Sequence, residues 1–142
     1  MSSYVASIKV TATPQRIWPV IADVVKWPEW LPTMTSVEGL SSSALAIGNQ
    51  YKVVQPGFRP TLWTVVEYEP LRAFAWEARW IGARAIATHS INSTSADSCE
   101  VVLKVYFSGP LSFIASTLAG RRIEEYLALE VNSLKQKIES QP

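Results

Sequence analysis

The chain has 142 residues, which at roughly 100–200 residues per domain leaves room for a single domain. Apolar residues make up 48% and charged residues 18%, a charge content below the usual quarter that excludes a disordered charged tail. Thirteen basic against twelve acidic residues give a net charge of +1 with no basic block, which argues against nucleic acid as a partner.

Residues 4–11 carry strand formers with partial alternation and stop at Thr13-Pro14, where Thr13 is placed to N-cap a helix that begins with Pro14. Ile17, Trp18, Ile21 and Ala22 recur at helical spacing, and Pro19 confines this helix to a short piece ending within residues 23–25. Residues 26–32 hold two tryptophans and two prolines, which predicts a helical turn docked on the core. Six runs rich in β-branched and aromatic residues follow, 35–40, 49–55, 61–69, 73–80, 83–92 and 99–108. Connections this short predict an antiparallel meander.

From Pro110 the apolar period becomes helical, in two halves. Ile123, Leu127, Val131, Leu134 and Ile138 fall on one stripe, whereas Leu111, Ile114, Ala115 and Leu118 fall nearly opposite, with Gly120 at the changeover. Either the helix breaks or bends there and its first half packs on the sheet edge, or that half turns its apolar face elsewhere, as the lid of a pocket.

Several chemistries are excluded. A single cysteine, Cys99, rules out an internal disulfide and points to a reducing cytoplasm, and with one histidine, His89, no Cys/His metal cage can form. No apolar run reaches the roughly 18 residues of a membrane span, and the start has no basic region leading into a hydrophobic one, so a soluble, unprocessed chain without stable membrane insertion is expected. There is no Gly-x-Ser-x-Gly elbow, phosphate-cradling loop or His-Glu-x-x-His pair, and no cofactor is implied.

One strand, a short helical pair, six strands and a long helix make an α+β order. Together with Thr13-Pro14-x-x-Ile17-Trp18, Ile21-Ala22-Asp23, Trp27-Pro28-x-Trp30-x-Pro32 and Ser108-Gly109-Pro110-Leu111, it resembles the polyketide cyclase/dehydrase-like branch of the START superfamily over almost the whole chain. The turn before the last strand departs from that pattern, reading Thr94-Ser-Ala-Asp-Ser98 where a glycine is usual. The resemblance implies a helix-grip fold over residues 1–142: a curved antiparallel sheet of about seven strands wrapped around the C-terminal helix, with two short helices after the first strand. It also implies a mostly apolar cavity that takes a lipid, polyketide or related aromatic or isoprenoid molecule, or cyclises one.

Alternation assigns the inner face. Phe74, Trp76, Ala78 and Trp80 point inward, with Trp76 and Trp80 as lining candidates or simply core; so do Tyr51 and Val53, and Val101, Leu103, Val105 and Phe107. In residues 61–69 both sets are mixed, and Leu62, Thr64, Val66 and Tyr68 are favoured because that keeps Glu67 in water. With Arg84 outward, Ala83, Ala85, Ala87, His89 and Ile91 face in, an alanine strip that makes space. Trp30, Ile114 and Leu118 complete the candidate ligand-binding set.

His89 either contacts a ligand or moves a proton, or is satisfied by a neighbouring backbone or tyrosine, or by solvent. As a catalytic acid–base it requires a partner, a tyrosine such as Tyr51, Tyr68 or Tyr126 or a carboxylate raised by burial. Arg121-Arg122 and Glu124-Glu125 read as a solvated helix face. Three functions compete: a container for a small hydrophobic ligand, a polyketide cyclase or dehydratase using His89, and an interaction module, monomeric or homodimeric, presenting Leu111, Ile114 and Leu118.

Overall fold

Strand β1 (Ser2–Val10) leads into helix α1 (Pro14–Ala22) and a 3-10 helix (Val24–Glu29), in a computed structural model that describes residues 2–42 and 44–140. Six strands follow, β2 (Ser36–Gly39), β3 (Gln50–Val54), β4 (Thr61–Glu69), β5 (Ala73–Trp80), β6 (Ala83–Ser95) and β7 (Ser98–Ser108), before helix α2 (Ser112–Glu139). The seven strands form one antiparallel sheet in the order β1-β7-β6-β5-β4-β3-β2. The meander from β2 to β7 therefore takes β1 on its far edge, and the curved sheet wraps α2, as the helix-grip expectation has it.

Local chemistry explains the entry. Pro14 occupies the first helical position of α1 and Thr13 stands in the N-cap place, but its hydroxyl makes no capping bond, a correction to the expected cap. Its carbonyl instead accepts the Arg16 and Ile17 N–H groups, so the backbone alone starts the turn. Pro19 faces solvent, and α1 stops after nine residues with Ile17, Trp18 and Ile21 buried. The Trp27 indole donates to the Ile21 carbonyl at 3.1 Å, which docks the 3-10 helix against α1.

Two departures from regular alternation shape the sheet. The pairing of β4 with β5 shifts between Val65 and Glu67, a bulge that reverses the side-chain phase in mid-strand. Trp63 and Val65 thus turn inward ahead of the bulge and Tyr68 after it, while Leu62 and Val66 lie in solvent, so the favoured inner set of Leu62, Thr64, Val66 and Tyr68 is corrected to one taken from both phases. The β6–β7 connection is also tighter than expected: β6 runs to Ser95 and only Ala96-Asp97 separate it from β7. Hydroxyls of Thr94 and Ser95 reach Ser98 Oγ at 2.9 and 2.8 Å, supplying by side chain what a glycine turn would leave to the backbone.

Helix α2 is continuous through Gly120, so it does not break there. Its buried positions run along one side of the helix: Ser112, Ser116, Gly120, Leu127, Glu130, Val131, Leu134 and Ile138. Ser116 and Gly120 are small where Tyr4 of β1 lies across the helix, its hydroxyl meeting Ser116 Oγ. A Cβ on Gly120 would collide with that hydroxyl oxygen.

Candidate functional site

Between the concave face of the sheet and α2 lies a cavity of about 320 Å³. The sheet supplies Trp63, Trp76, Ala85, Ala87, His89, Leu103, Val105 and Phe107, and α2 supplies Ala115, Leu118, Ala119, Ile123, Tyr126, Leu127 and Glu130. Small residues on both walls, Ala85 and Ala87 opposite Ala115 and Ala119, leave the space that larger side chains would fill. Trp27 and Met34 close it on the side of the 3-10 helix.

The closed end is aromatic. Trp76 is buried, with Trp63 stacked on it at 5.7 Å and 29°, and Trp27 meets it edge-on at 5.4 Å. His89 lies flat on Phe74 at 4.3 Å and 7°, with Trp27 and Trp76 on its other sides at 5.4 and 5.9 Å. Held in this way, its Nδ1 is the one buried side-chain polar atom without a hydrogen-bond partner among the described residues. Burial pushes the imidazole down to about 4, opposed only in part by the Phe74 backbone, so the ring is neutral near pH 7.

The second polar group is Glu130, on the α2 wall. Thr33 Oγ1 donates to its Oε2 at 3.0 Å, and burial pushes the carboxyl up to about 7, with the Thr33 bond working against that rise. Near neutral pH the group therefore exists in both forms, a hydrogen-bond donor in one and an anion in the other. The cavity so presents a ring nitrogen that can accept a proton and a carboxyl that can give one, within apolar walls.

A strap formed by the β3–β4 loop crosses α2 beside the cavity. The Tyr126 hydroxyl donates to the Pro56 carbonyl, and Arg122 Nη1 donates to the Gly57 carbonyl at 2.7 Å while its guanidinium covers the Phe58 ring at 5.6 Å. Arg121, Arg122, Glu124 and Glu125 are all exposed, in keeping with a solvated helix face, and Arg122 is in addition engaged with the loop. Gly57 has a φ of +82° and would place a Cβ 2.7 Å from the guanidinium, so the close approach requires glycine.

Of the sequence-predicted residues, Trp76, Trp80, Ala87, His89, Val105, Phe107 and Leu118 line this cavity. Five do not. Tyr51 lies behind Trp76 with its hydroxyl donating to the Ala44 carbonyl at 2.7 Å, and Phe74 lies behind His89. Tyr68 packs on Trp18 at 6.1 Å, Trp30 packs against the core from the end of the 3-10 helix, and Ile114 faces solvent. Of the three tyrosines considered as partners for His89, Tyr126 alone reaches the wall.

Sequence reasoning missed Trp27, Trp63 and Glu130 as lining residues. Glu130 had a signal: it falls three residues after Leu127 and four before Leu134, a carboxylate inside the apolar stripe.

A curved sheet gripping a long helix around an apolar cavity defines a protein of the helix-grip class. The sequence profile described as "Polyketide cyclase / dehydrase and lipid transport" matches residues 1–139, and the chain belongs to that family. The Zhui aromatase/cyclase from Streptomyces sp. R1128 superposes with a TM-score of 0.79 at 17% identity, covering 97% of this chain and 93% of that one. Norcoclaurine synthase from Thalictrum flavum, in complex with dopamine and hydroxybenzaldehyde, gives 0.74 at 17% identity, covering 99% and 88%. The Bacillus cereus protein XoxI gives 0.76 at 15% identity, covering 99% and 97%. No curated protein matches. Among the described residues, no helix is long and apolar enough to cross a membrane.

Proposed function

We propose that the chain, acting as one domain, holds a compact and largely apolar small molecule, a polyketide, lipid or other aromatic or isoprenoid compound, in the cavity under α2. The observation that carries this reading is the cavity itself: about 320 Å³ walled by Trp27, Trp63 and Trp76, with His89 and Glu130 as polar groups to orient a ligand hydroxyl or carbonyl. Its size favours a ring system over an extended chain. The single buried cysteine supports work in a reducing cytoplasm. Native mass spectrometry of protein from its own host, followed by organic extraction, tests the reading. A stoichiometric apolar compound that Trp76→Ala releases is expected; a chain that takes up no apolar compound in the cavity, from the host or when supplied, overturns it.

A second reading is favoured by two titratable groups in one cavity, His89 on the sheet wall and Glu130 on the α2 wall, and by the likeness to an aromatase/cyclase and a norcoclaurine synthase. Here neutral His89 removes a proton alpha to a ligand carbonyl, whose oxygen takes the proton of Glu130. The resulting enol carbon attacks a second carbonyl of the same molecule, closing a ring, as that carbonyl's oxygen takes the proton held by His89 and the enol hydroxyl returns its proton to Glu130. Incubation with a linear polyketide distinguishes the two: His89→Ala and Glu130→Gln that abolish turnover while retaining ligand support the enzyme, and unchanged turnover removes both residues from it.

A further inference from the structure

A carboxyl group taken out of water ordinarily has a cation beside it, and Glu130 has none. Thr33 Oγ1 donates to its Oε2, and Oε1 has no partner among the described residues. The ion pairs among those residues use Glu69, Glu77 and Glu139 instead. Cations on the neighbouring elements are engaged elsewhere. Lys104 is exposed, its Nζ 5.8 Å from the centre of the Tyr106 ring on the outer side of β7. Lys135 donates to Glu139 and to the Lys9 carbonyl, Arg16 donates to the Ile138 carbonyl, and Arg122 is tied to the β3–β4 loop. His89, the other titratable group in the cavity described above, is neutral near pH 7.

The surroundings of the carboxyl suit a positive group. Thr33, which holds it, is followed in the chain by Met34, and Met34 and Trp27 close the aromatic end of the cavity beside Trp63 and Trp76. Indole attracts a cation more strongly than other aromatic rings, and most where water is excluded. The Trp27 N–H is committed to the Ile21 carbonyl, so that ring offers the cavity its π-system and no donor. An ammonium group supplies what Glu130 lacks, a full opposite charge and N–H donors for Oε1. A carboxylate or phosphate finds no cation here, and a neutral hydroxyl leaves the ionised carboxylate uncompensated. The alanines of the two walls leave room for a ring beside the charged group.

We propose that the ligand of this cavity is an organic cation, a compact ring-bearing amine whose ammonium group pairs with Glu130 Oε1 beside the indoles of Trp27, Trp63 and Trp76. This names a ligand class for the container reading and rests on that reading. The apolar body of the amine fills the space between the alanine walls, and the charge sits where the only buried carboxyl of the cavity wall meets its aromatic end.

Two probes of one shape test the charge: phenethylamine and phenethyl alcohol, titrated into the full chain by calorimetry at pH 8, above the value of about 7 at which Glu130 loses its proton. The amine is expected to bind at least about tenfold more tightly than the alcohol. Glu130→Gln keeps the size of the side chain and an acceptor for Thr33; it should weaken the amine about tenfold and leave the alcohol within about twofold. The wild-type comparison decides by itself if that variant does not fold. Alcohol bound as tightly as amine, or an amine affinity that Glu130→Gln leaves unchanged, overturns the proposal while the container reading stands, because a ligand is still held. Binding of neither probe also overturns it, and the container reading is then judged on the organic extraction alone.

Discussion

Ahead of Gly120, helix α2 buries Ser112 and Ser116 and leaves Leu118 and Phe113 in solvent; beyond it, the same seam buries Leu127, Val131, Leu134 and Ile138. The helix is straight through in its hydrogen bonding, so the reversal reflects the partners it meets and not a change of backbone. In the second half α2 faces core side chains of the sheet, and large aliphatic residues interlock with them. In the first half it meets Tyr4 at close range, and small residues are what fit. An apolar stripe read from sequence therefore marks a helix's buried face only where the partner surface stands far enough away to need filling.

That contrast is broken most severely in the second half. Leu134→Ala removes a nearly inaccessible side chain and should cost about 2–5 kcal/mol, read as a lower midpoint in urea with an unchanged slope. A loss below about 1 kcal/mol would mean that the two halves are not distinct in packing.

The second half also carries Glu130, and its titration opposes that of His89. Glu130 has an ordinary value of 4.5 and about 7 when folded, so the folded protein keeps a proton that the unfolded chain releases, and stability falls as pH rises from 4.5 to 7. His89 has an ordinary value of 6.5 and about 4 when folded, so the unfolded chain binds a proton first and stability falls as pH drops from 6.5 to 4. Each contribution is on the order of 3 kcal/mol over its full window, and between pH 4.5 and 6.5 they cancel in slope. Glu130→Gln should therefore expose a stability that rises with pH in that window, and His89→Asn one that falls. Denaturation at several pH values checks both, and parallel profiles for the two variants would remove the pair's opposition.

At the junction, Gly120→Ala sets a methyl against Tyr4 and should destabilise by about 1–3 kcal/mol, despite alanine's better helix propensity. Tyr4→Ala in the same chain should recover part of that loss, and a double-mutant cycle measures how much. Additive effects would show that the ring and Gly120 do not constrain each other.

Much of this architecture was legible in the sequence because strands and helices declare themselves by period. Phe74 to Trp80 and Val101 to Phe107 alternate without interruption, and Thr13-Pro14 announces α1. Residues 61–69 resisted because a single bulge between Val65 and Glu67 puts Trp63 and Tyr68 on one face although their separation is odd. The cavity was harder to read than the sheet. Alternation tells inside from outside but not wall from second layer, so Tyr51 and Phe74 were indistinguishable from Trp76 until their neighbours were known. Glu130 and Thr33 are 97 residues apart, and no local pattern pairs them.

The smallest stability effect expected belongs to Leu118, and it separates packing from function most sharply. The side chain is 82% exposed, so Leu118→Ala should change stability by less than about 0.5 kcal/mol, against the several expected of Leu134→Ala on the same helix. Leu118 nevertheless forms part of the cavity wall near the mouth, where Ala115 and Ala119 contribute little bulk. Removing it should therefore raise the rate at which a bound apolar molecule escapes, measured by transfer to an excess of competing ligand-free protein. A variant as stable as the wild type but faster to lose its ligand would show that the apolar face of the first half serves the cavity. Unchanged retention would assign that face to contacts outside the molecule.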